Sequence, residues 1–138
     1  MNIQKILLST IGAGIAMFAL AGLWHMVLMS DLYASEMNRA EPSMYLIGGS
    51  YFVLALLMSY MYPKGIEGTN KIANGIKFGI VIGLLWVLPH SLILYAIMEG
   101  STLKVVLIDV AWHAVEQACG GVVIALIYGI PNTTDTSS

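Results

Sequence analysis

The chain has 138 residues, a length typical of one domain. Hydrophobic residues make up 58% of it and charged residues only 10%, whereas a typical soluble domain carries about 25% charged residues. This composition excludes a soluble enzyme, and the net charge of −2 excludes a basic surface for nucleic acid. A single cysteine excludes an intramolecular disulfide and any paired-cysteine metal or redox motif.

Four segments are long and apolar enough to cross a bilayer core about 30 Å thick, which takes about 20 residues of helix. These segments, called the first to fourth spans, are residues 6–29, 44–62, 75–98 and 103–130. No long period-two alternation runs through them, so strands are not expected. We predict an all-α, integral membrane four-helix bundle that forms one domain over residues 1–130, with a disordered tail at residues 131–138.

Basic residues predict the orientation of the spans in the bilayer. Lys5, Lys64, Lys71 and Lys77 fall at one end of the predicted bundle, and Arg39 and Lys104 fall at the other. Because positive charge collects on the cytoplasmic side, we expect both termini in the cytoplasm (N-in/C-in). A competing interpretation treats residues 1–21 as a cleaved signal peptide, which would leave three spans. The apolar run that continues past Ala21 to Met29 favours a span.

Small residues recur at a spacing of four in the last two spans. They are Gly75, Gly79 and Gly83 in the third span, and Gly121, Ala125 and Gly129 in the fourth. Lipid gives no hydrophobic drive for helix association, so faces of small residues serve close backbone packing. We expect these faces to contact another helix, either within one chain or in a homo-oligomer or a complex with a partner membrane subunit.

Ionisable residues lie inside the spans, where they are energetically expensive and are functional candidates by default. The fourth span carries Asp109, His113, Glu116 and Gln117 within an arc of about 100°. The other two histidines project onto faces with small residues: His90 within about 20° of Gly79 and Gly83, and His25 within about 40° of Gly14 and Ala21. We therefore expect all of these side chains to point into the bundle.

Three functions remain open for this set of polar residues. The first is a small proton-linked transporter or channel-like subunit, with a proton relay or substrate site at His90, Asp109, His113, Glu116 and Gln117. The second is a structural or accessory subunit whose polar groups hold helices together. The third is intramembrane metal or haem binding, with His25, His90, His113 and Glu116 as candidate ligands and the cofactor unidentified. No HExxH or GxSxG motif occurs, which argues against an enzyme.

Two stretches of the C-terminal half are similar to known proteins. They are GIKFGIVIGLL at residues 75–85 and LKVVLIDVAWHAVEQACGGVVIALIYG at residues 103–129. They resemble small four-helix bacterial membrane proteins of unknown function, which share a glycine-rich third helix and a fourth helix with an Asp followed by an aromatic residue, here Asp109 and Trp112. The resemblance implies the four-span fold and no established activity. We expect a multi-pass protein of the bacterial inner (cytoplasmic) membrane.

Overall fold

The computed structural model describes residues 2–33, 43–65 and 69–129. Within these residues the chain is helical and contains no strand. Four helices are long and apolar enough to cross a membrane, at Ile3–Leu28, Met44–Lys64, Lys71–Ile97 and Leu103–Tyr128. The prediction of an all-α membrane protein with four spans is therefore confirmed. The predicted disordered tail and Arg39 lie outside the described residues.

Polar side chains fix where three of the spans begin. The oxygens of Asn2, Asn70 and Thr102 accept the backbone N–H groups of Lys5 (3.2 Å), Ala73 (3.0 Å) and Val105 (3.3 Å). These caps satisfy N–H groups that the first helical turn leaves without partners. The Asn70 cap explains why the third span begins at Lys71, earlier than the predicted residue 75.

The ends of the first two spans depart from α-helical geometry. The first span is α-helical over Ile3–Gly22 and π-helical over Leu23–Leu28, and a short helix at Ser30–Tyr33 follows it. The second span is α-helical over Met44–Met61 and ends in a 3-10 turn at Tyr62–Lys64. The π-helical segment carries two of the residues of the candidate site.

The fourth span is the central helix of the bundle. It packs most extensively against the third span, substantially against the first and slightly against the second. The first span in turn packs against the second. At one end of the bundle the second span also reaches the third, where the ring of Tyr62 meets that of Phe78 edge-on at 5.3 Å between centroids.

The third and fourth spans meet through backbone contacts that we call the glycine seam, formed by Gly75, Gly79, Gly83, Gly121 and Ala125. A methyl group added at Gly75 would lie 2.6 Å from the carbonyl oxygen of Gly121, and one at Gly79 would overlap the carbonyl oxygen of Gln117. Small residues at a spacing of four thus let two helices of the same chain touch along their backbones. Gly129, the last of the predicted small residues, instead contacts the side chain of Lys71.

Three lysines gather at one end of the bundle, called the lysine end. The Lys5 ammonium donates to the carbonyl oxygen of Tyr128 (3.0 Å), and the Lys71 ammonium donates to that of Gly129 (2.9 Å). Lys64 lies 3.6 Å above the ring centre of Tyr60 at the end of the second span. The last carbonyl groups of a helix carry partial negative charge, so Lys5 and Lys71 stabilise the end of the fourth span.

Candidate functional site

The candidate site begins with the π-helical segment at the opposite end of the first span. Here the backbone N–H of Met29 donates to the carbonyl oxygen of Trp24 over 2.8 Å, a bond that spans five residues instead of four. The wider turn changes the direction of the side chains that follow, and such segments are frequent at functional sites. The segment presents Trp24 and His25 to the fourth span.

Two indoles join the first span to the fourth. The rings of Trp24 and Trp112 are parallel within 4°, with centroids 4.1 Å apart. A stacked aromatic pair contributes about 0.5–1.5 kcal/mol beyond the area it buries. Because each tryptophan directly precedes a histidine, the stack also sets His25 beside His113, whose ring centroids are 6.2 Å apart.

Three ionisable side chains converge beside this stack: His25, Asp109 and His113, called the His–Asp cluster. One nitrogen or oxygen atom from each lies within 4.8 Å of the corresponding atoms of the other two. Asp109 and His113 are one helical turn apart on the fourth span, with 3.4 Å between a carboxylate oxygen and Nδ1. Both side chains keep some exposure, 22% for Asp109 and 12% for His113. The cluster is therefore only partly buried.

The hydrogen bonds around the His–Asp cluster orient its members. Nδ1 of His113 lies 2.9 Å from the carbonyl oxygen of Asp109. A carbonyl oxygen only accepts, so Nδ1 carries the proton in this bond and Nε2 keeps its lone pair. On the other side, the Ser91 hydroxyl donates to the Asp109 carboxylate over 3.4 Å. The third span thus contributes a side chain that holds Asp109 in place.

His90 lies outside this cluster, in contrast to its predicted position on the face of Gly79 and Gly83. Its side chain is exposed, and its neighbour Ser91 is the buried residue that reaches Asp109. The buried face of the third span follows the positions Gly75, Gly79, Gly83, Val87 and Ser91. Each step of four residues turns this face by about 40°, so near residue 90 it has rotated away from the direction of the glycines.

A second group of polar side chains lies deeper along the fourth span. It is called the Glu116 pocket and consists of Tyr51, Trp112, Glu116 and Gln117. The Tyr51 hydroxyl donates to one carboxylate oxygen of Glu116 (3.3 Å), and the Gln117 amide donates to the other (3.0 Å). Glu116 and Gln117 are both 0% exposed. The pocket therefore holds a carboxyl group that is removed from solvent on every side.

Two polar atoms of the Glu116 pocket have no hydrogen-bond partner among the described residues. They are the indole nitrogen of Trp112, a donor, and the amide oxygen of Gln117, an acceptor. Buried polar atoms in native proteins are nearly always hydrogen-bonded to protein or water. The indole N–H needs an acceptor and the amide oxygen needs a donor, so a water molecule can serve both, whereas a cation serves only the oxygen.

Between Gln117 and the lysine end the interior of the bundle is mainly apolar, with Ser9 and Ser59 as buried polar residues. Five of its fully buried members are Ala13, Met17, Ala55, Met58 and Ile124. Met17 lies directly against Gly120, where an added methyl group would be 2.5 Å from its sulfur. A largely apolar core thus lies between the site and the lysine end.

Of the residues singled out in the sequence, the structure brings Asp109 and His113 together with His25, and it pairs Glu116 with Gln117. Tyr51 is the site residue that the sequence analysis missed. Its position well inside the second span, away from the interfacial belt where tyrosines usually lie, is the signal that could have found it. The π-helical segment has no comparable signal in the sequence.

Comparison with known proteins gives one match. The family described as "Protein of unknown function (DUF1761)" matches residues 8–128, which include the His–Asp cluster and the Glu116 pocket. The match extends over the first two spans, beyond the C-terminal half that carries the resemblance seen in the sequence. No curated protein and no solved structure matches the chain.

Proposed function

The chain belongs to the DUF1761 family of proteins of unknown function, and we propose that it is a small proton-linked cation transporter or channel-like subunit. In this proposal a cation enters at the His–Asp cluster and a proton or cation is held in the Glu116 pocket. The two groups lie on one face of the fourth span, with Glu116 seven residues, about 10 Å, beyond Asp109.

The observation that carries the proposal is the burial of Glu116 among neutral partners. Its carboxyl group is 0% exposed, and its hydrogen bonds come from a phenol and an amide. A charged carboxylate inside a span costs about 2.5–3.5 kcal/mol on insertion scales. A bound proton or cation removes this cost, so the pocket favours a positively charged occupant.

The closed half of the bundle supports transport over an open pore. Five apolar side chains separate the Glu116 pocket from the lysine end. An ion or proton that arrives from the His–Asp cluster therefore cannot pass to the lysine end until the helices separate there. This is the arrangement that alternating access requires, in which one half of a bundle rocks against the other around a site near the middle of the membrane.

The lysine end supports the predicted orientation. Lys5, Lys64 and Lys71 lie there together, and positive charge marks the cytoplasmic side. We therefore place both termini in the cytoplasm and the His–Asp cluster toward the outer face, in a bacterial inner membrane. Homo-oligomer formation remains part of the proposal. A fluorescent protein and a periplasmic phosphatase fused in turn to the C-terminus test the orientation, because only the former should be active.

A structural role in a membrane complex is the second candidate, and the Trp24–Trp112 stack favours it. The stack and the Ser91–Asp109 hydrogen bond both join different spans. If joining helices were the only role of the polar residues, replacing Glu116 would change thermal stability and nothing else.

Proton flux into liposomes separates the two candidates. The purified protein is reconstituted with a trapped pH-sensitive dye, and an inside-negative potential is imposed with potassium and valinomycin. We expect acidification with the wild type, and a loss of about 10-fold or more with Glu116→Gln, which keeps the size and the acceptor for Tyr51 but cannot ionise. Glu99→Gln, at an exposed position, is the matched control and should behave as wild type.

Thermal unfolding in detergent accompanies each flux measurement. Glu116→Gln should unfold at or above the wild-type temperature, because it removes a buried charge. Wild-type flux that Glu116→Gln leaves unchanged would exclude the transport proposal, and so would a wild-type protein that moves no protons both without and with a divalent cation such as Zn²⁺ outside the liposomes.

A further inference from the structure

We propose that the His–Asp cluster is a binding site for a divalent first-row transition-metal ion, held by imidazole nitrogens of His25 and His113 and by the carboxylate of Asp109. The claim that this metal ion is the transported cation rests on the proposed function. The claim that the cluster binds a metal ion depends only on the geometry of the cluster.

The distances are close to those of a metal site. Two atoms that each lie about 2.1 Å from one ion are at most about 4.2 Å apart. The ligand atoms of the cluster lie within 4.8 Å of one another without an ion. Tetrahedral ligands lie about 3.4 Å apart, so the side chains would have to draw together by up to about 1.4 Å when an ion binds.

The donor set selects the class of metal. Two imidazoles and one carboxylate suit zinc and ferrous iron, whereas calcium and magnesium prefer all-oxygen sites. Soft copper(I) prefers sulfur, and the three residues of the cluster offer only nitrogen and oxygen. Three protein ligands leave at least one coordination position open, as in sites that exchange a ligand or pass an ion on.

The residues around the cluster are those that a metal site needs. The Nδ1–H of His113 donates to the Asp109 carbonyl oxygen, a bond that fixes the orientation of the ring and, in the neutral ring, leaves Nε2 as the nitrogen that can bind an ion. Ser91 donates to one carboxylate oxygen of Asp109, and the other lies 3.4 Å from Nδ1 of His113. The stacked indoles hold the π-helical segment against the fourth span, so His25 approaches from a different helix. A bound ion would therefore connect the first span to the fourth.

Zinc binding to the purified full chain tests the proposal. The protein is stripped with a chelator in detergent and titrated with Zn²⁺ by calorimetry. We expect one ion per chain, an affinity reduced more than about 100-fold in His113→Ala, and a reduction of about 10-fold or more in Asp109→Asn. His90→Ala is the matched control, since it removes an intramembrane histidine that is exposed and outside the cluster.

Cobalt(II) gives a second measurement that does not depend on affinity alone. Co²⁺ in the wild-type protein should show the intense visible absorption of a four- or five-coordinate site, and His25→Asn should abolish it. His25→Asn is included because it keeps a polar side chain at the position, so that loss of the bands is not caused by unfolding. Melting temperatures without metal should agree among wild type, His25→Asn and His90→Ala.

The outcomes separate this inference from the proposed function. The metal site is overturned if the wild-type protein binds no Zn²⁺. It is also overturned if His90→Ala and His113→Ala lose the same amount of Zn²⁺ affinity, and the cluster is then only hydrogen-bonded. Glu116→Gln should bind Zn²⁺ like the wild type even where its proton flux is lost. Zinc binding without any proton flux would keep the metal site and exclude the transport proposal.

Discussion

The fourth span has two faces with different roles. Toward the third span it presents Gly121 and Ala125, and the two backbones touch along the glycine seam. Toward the first and second spans it presents His113, Glu116 and Gln117. The first face is well packed and apolar, and the second carries ionisable groups that are costly in a membrane. The contrast indicates that the fold depends mainly on the seam, while the polar face is free to serve binding.

The physical origin of this contrast lies in the bilayer. Between helices in lipid, association comes from close van der Waals contact and interhelical hydrogen bonds, because lipid tails are as apolar as the side chains. Contact of this kind tolerates no added atoms at the seam. Substitutions on the polar face that preserve the shape of the side chain remove a charge or a hydrogen bond, and they leave the glycine seam intact. The predictions below separate the two faces, from the largest expected effect to the smallest.

A single methyl group added at the glycine seam should strongly destabilise the fold. Gly79→Ala places a carbon against the carbonyl oxygen of Gln117 and 2.5 Å from the α-carbon of Ala118. Both neighbours are backbone atoms, so the third and fourth spans have to move apart. We expect a loss of about 3 kcal/mol or more in the free energy of unfolding, at the upper end of overpacking effects. Reversible unfolding in mixed detergent micelles measures it.

Gly49→Ala is the matched control for the seam. This glycine lies in the second span with nothing within 4 Å of an added methyl group. Alanine has the higher helix propensity, so the variant should be neutral or more stable by up to about 1 kcal/mol. Equal destabilisation by the two substitutions would contradict the special role of the seam.

Loss of one hydroxyl group on the polar face should lower the free energy of unfolding. Tyr51→Phe removes the phenol that donates to Glu116 and leaves a buried carboxyl group with one donor fewer. We expect a loss of about 1–3 kcal/mol in the free energy of unfolding. The same change in a Glu116→Leu background should cost less, because no acceptor for the Tyr51 hydroxyl is left there. Additive effects in this cycle would contradict a direct Tyr51–Glu116 interaction.

The Trp24–Trp112 stack should contribute a smaller, measurable coupling. Single Trp24→Ala and Trp112→Ala variants and the double variant form a thermodynamic cycle. We expect a coupling energy of about 1 kcal/mol from ring stacking. A coupling near zero would mean that the stack does not hold the π-helical segment against the fourth span.

The lysine end should show the smallest effect. Lys71→Met removes the ammonium that donates to the carbonyl oxygen of Gly129 at the end of the fourth span. Interactions of this type contribute about 0.3–1 kcal/mol. Lys104→Met is the control, because Lys104 lies in the first turn of the same helix, where a positive charge is not favoured. It should leave stability unchanged or raise it slightly.

The sequence predicts the spans and the alignment of Asp109 with His113, because both follow from the geometry of one helix. It does not predict the position of His90. The wheel projection assumes that the buried face stays in one direction, whereas close packing at a spacing of four makes it rotate until Ser91 replaces His90. Tyr51 and the π-helical segment depend on contacts between different spans, such as the Trp24–Trp112 stack, which no local pattern encodes.

The central claim is that two imidazoles from separate spans converge on one site. X-ray absorption spectroscopy at the zinc edge tests it most directly, with the full chain loaded with one equivalent of Zn²⁺. The result expected is a first shell of nitrogen and oxygen at about 2.0–2.1 Å with outer-shell scattering from two imidazole rings, one of which is lost in His25→Asn. A sulfur shell at about 2.3 Å, or scattering from fewer than two rings in the wild type, would contradict the site.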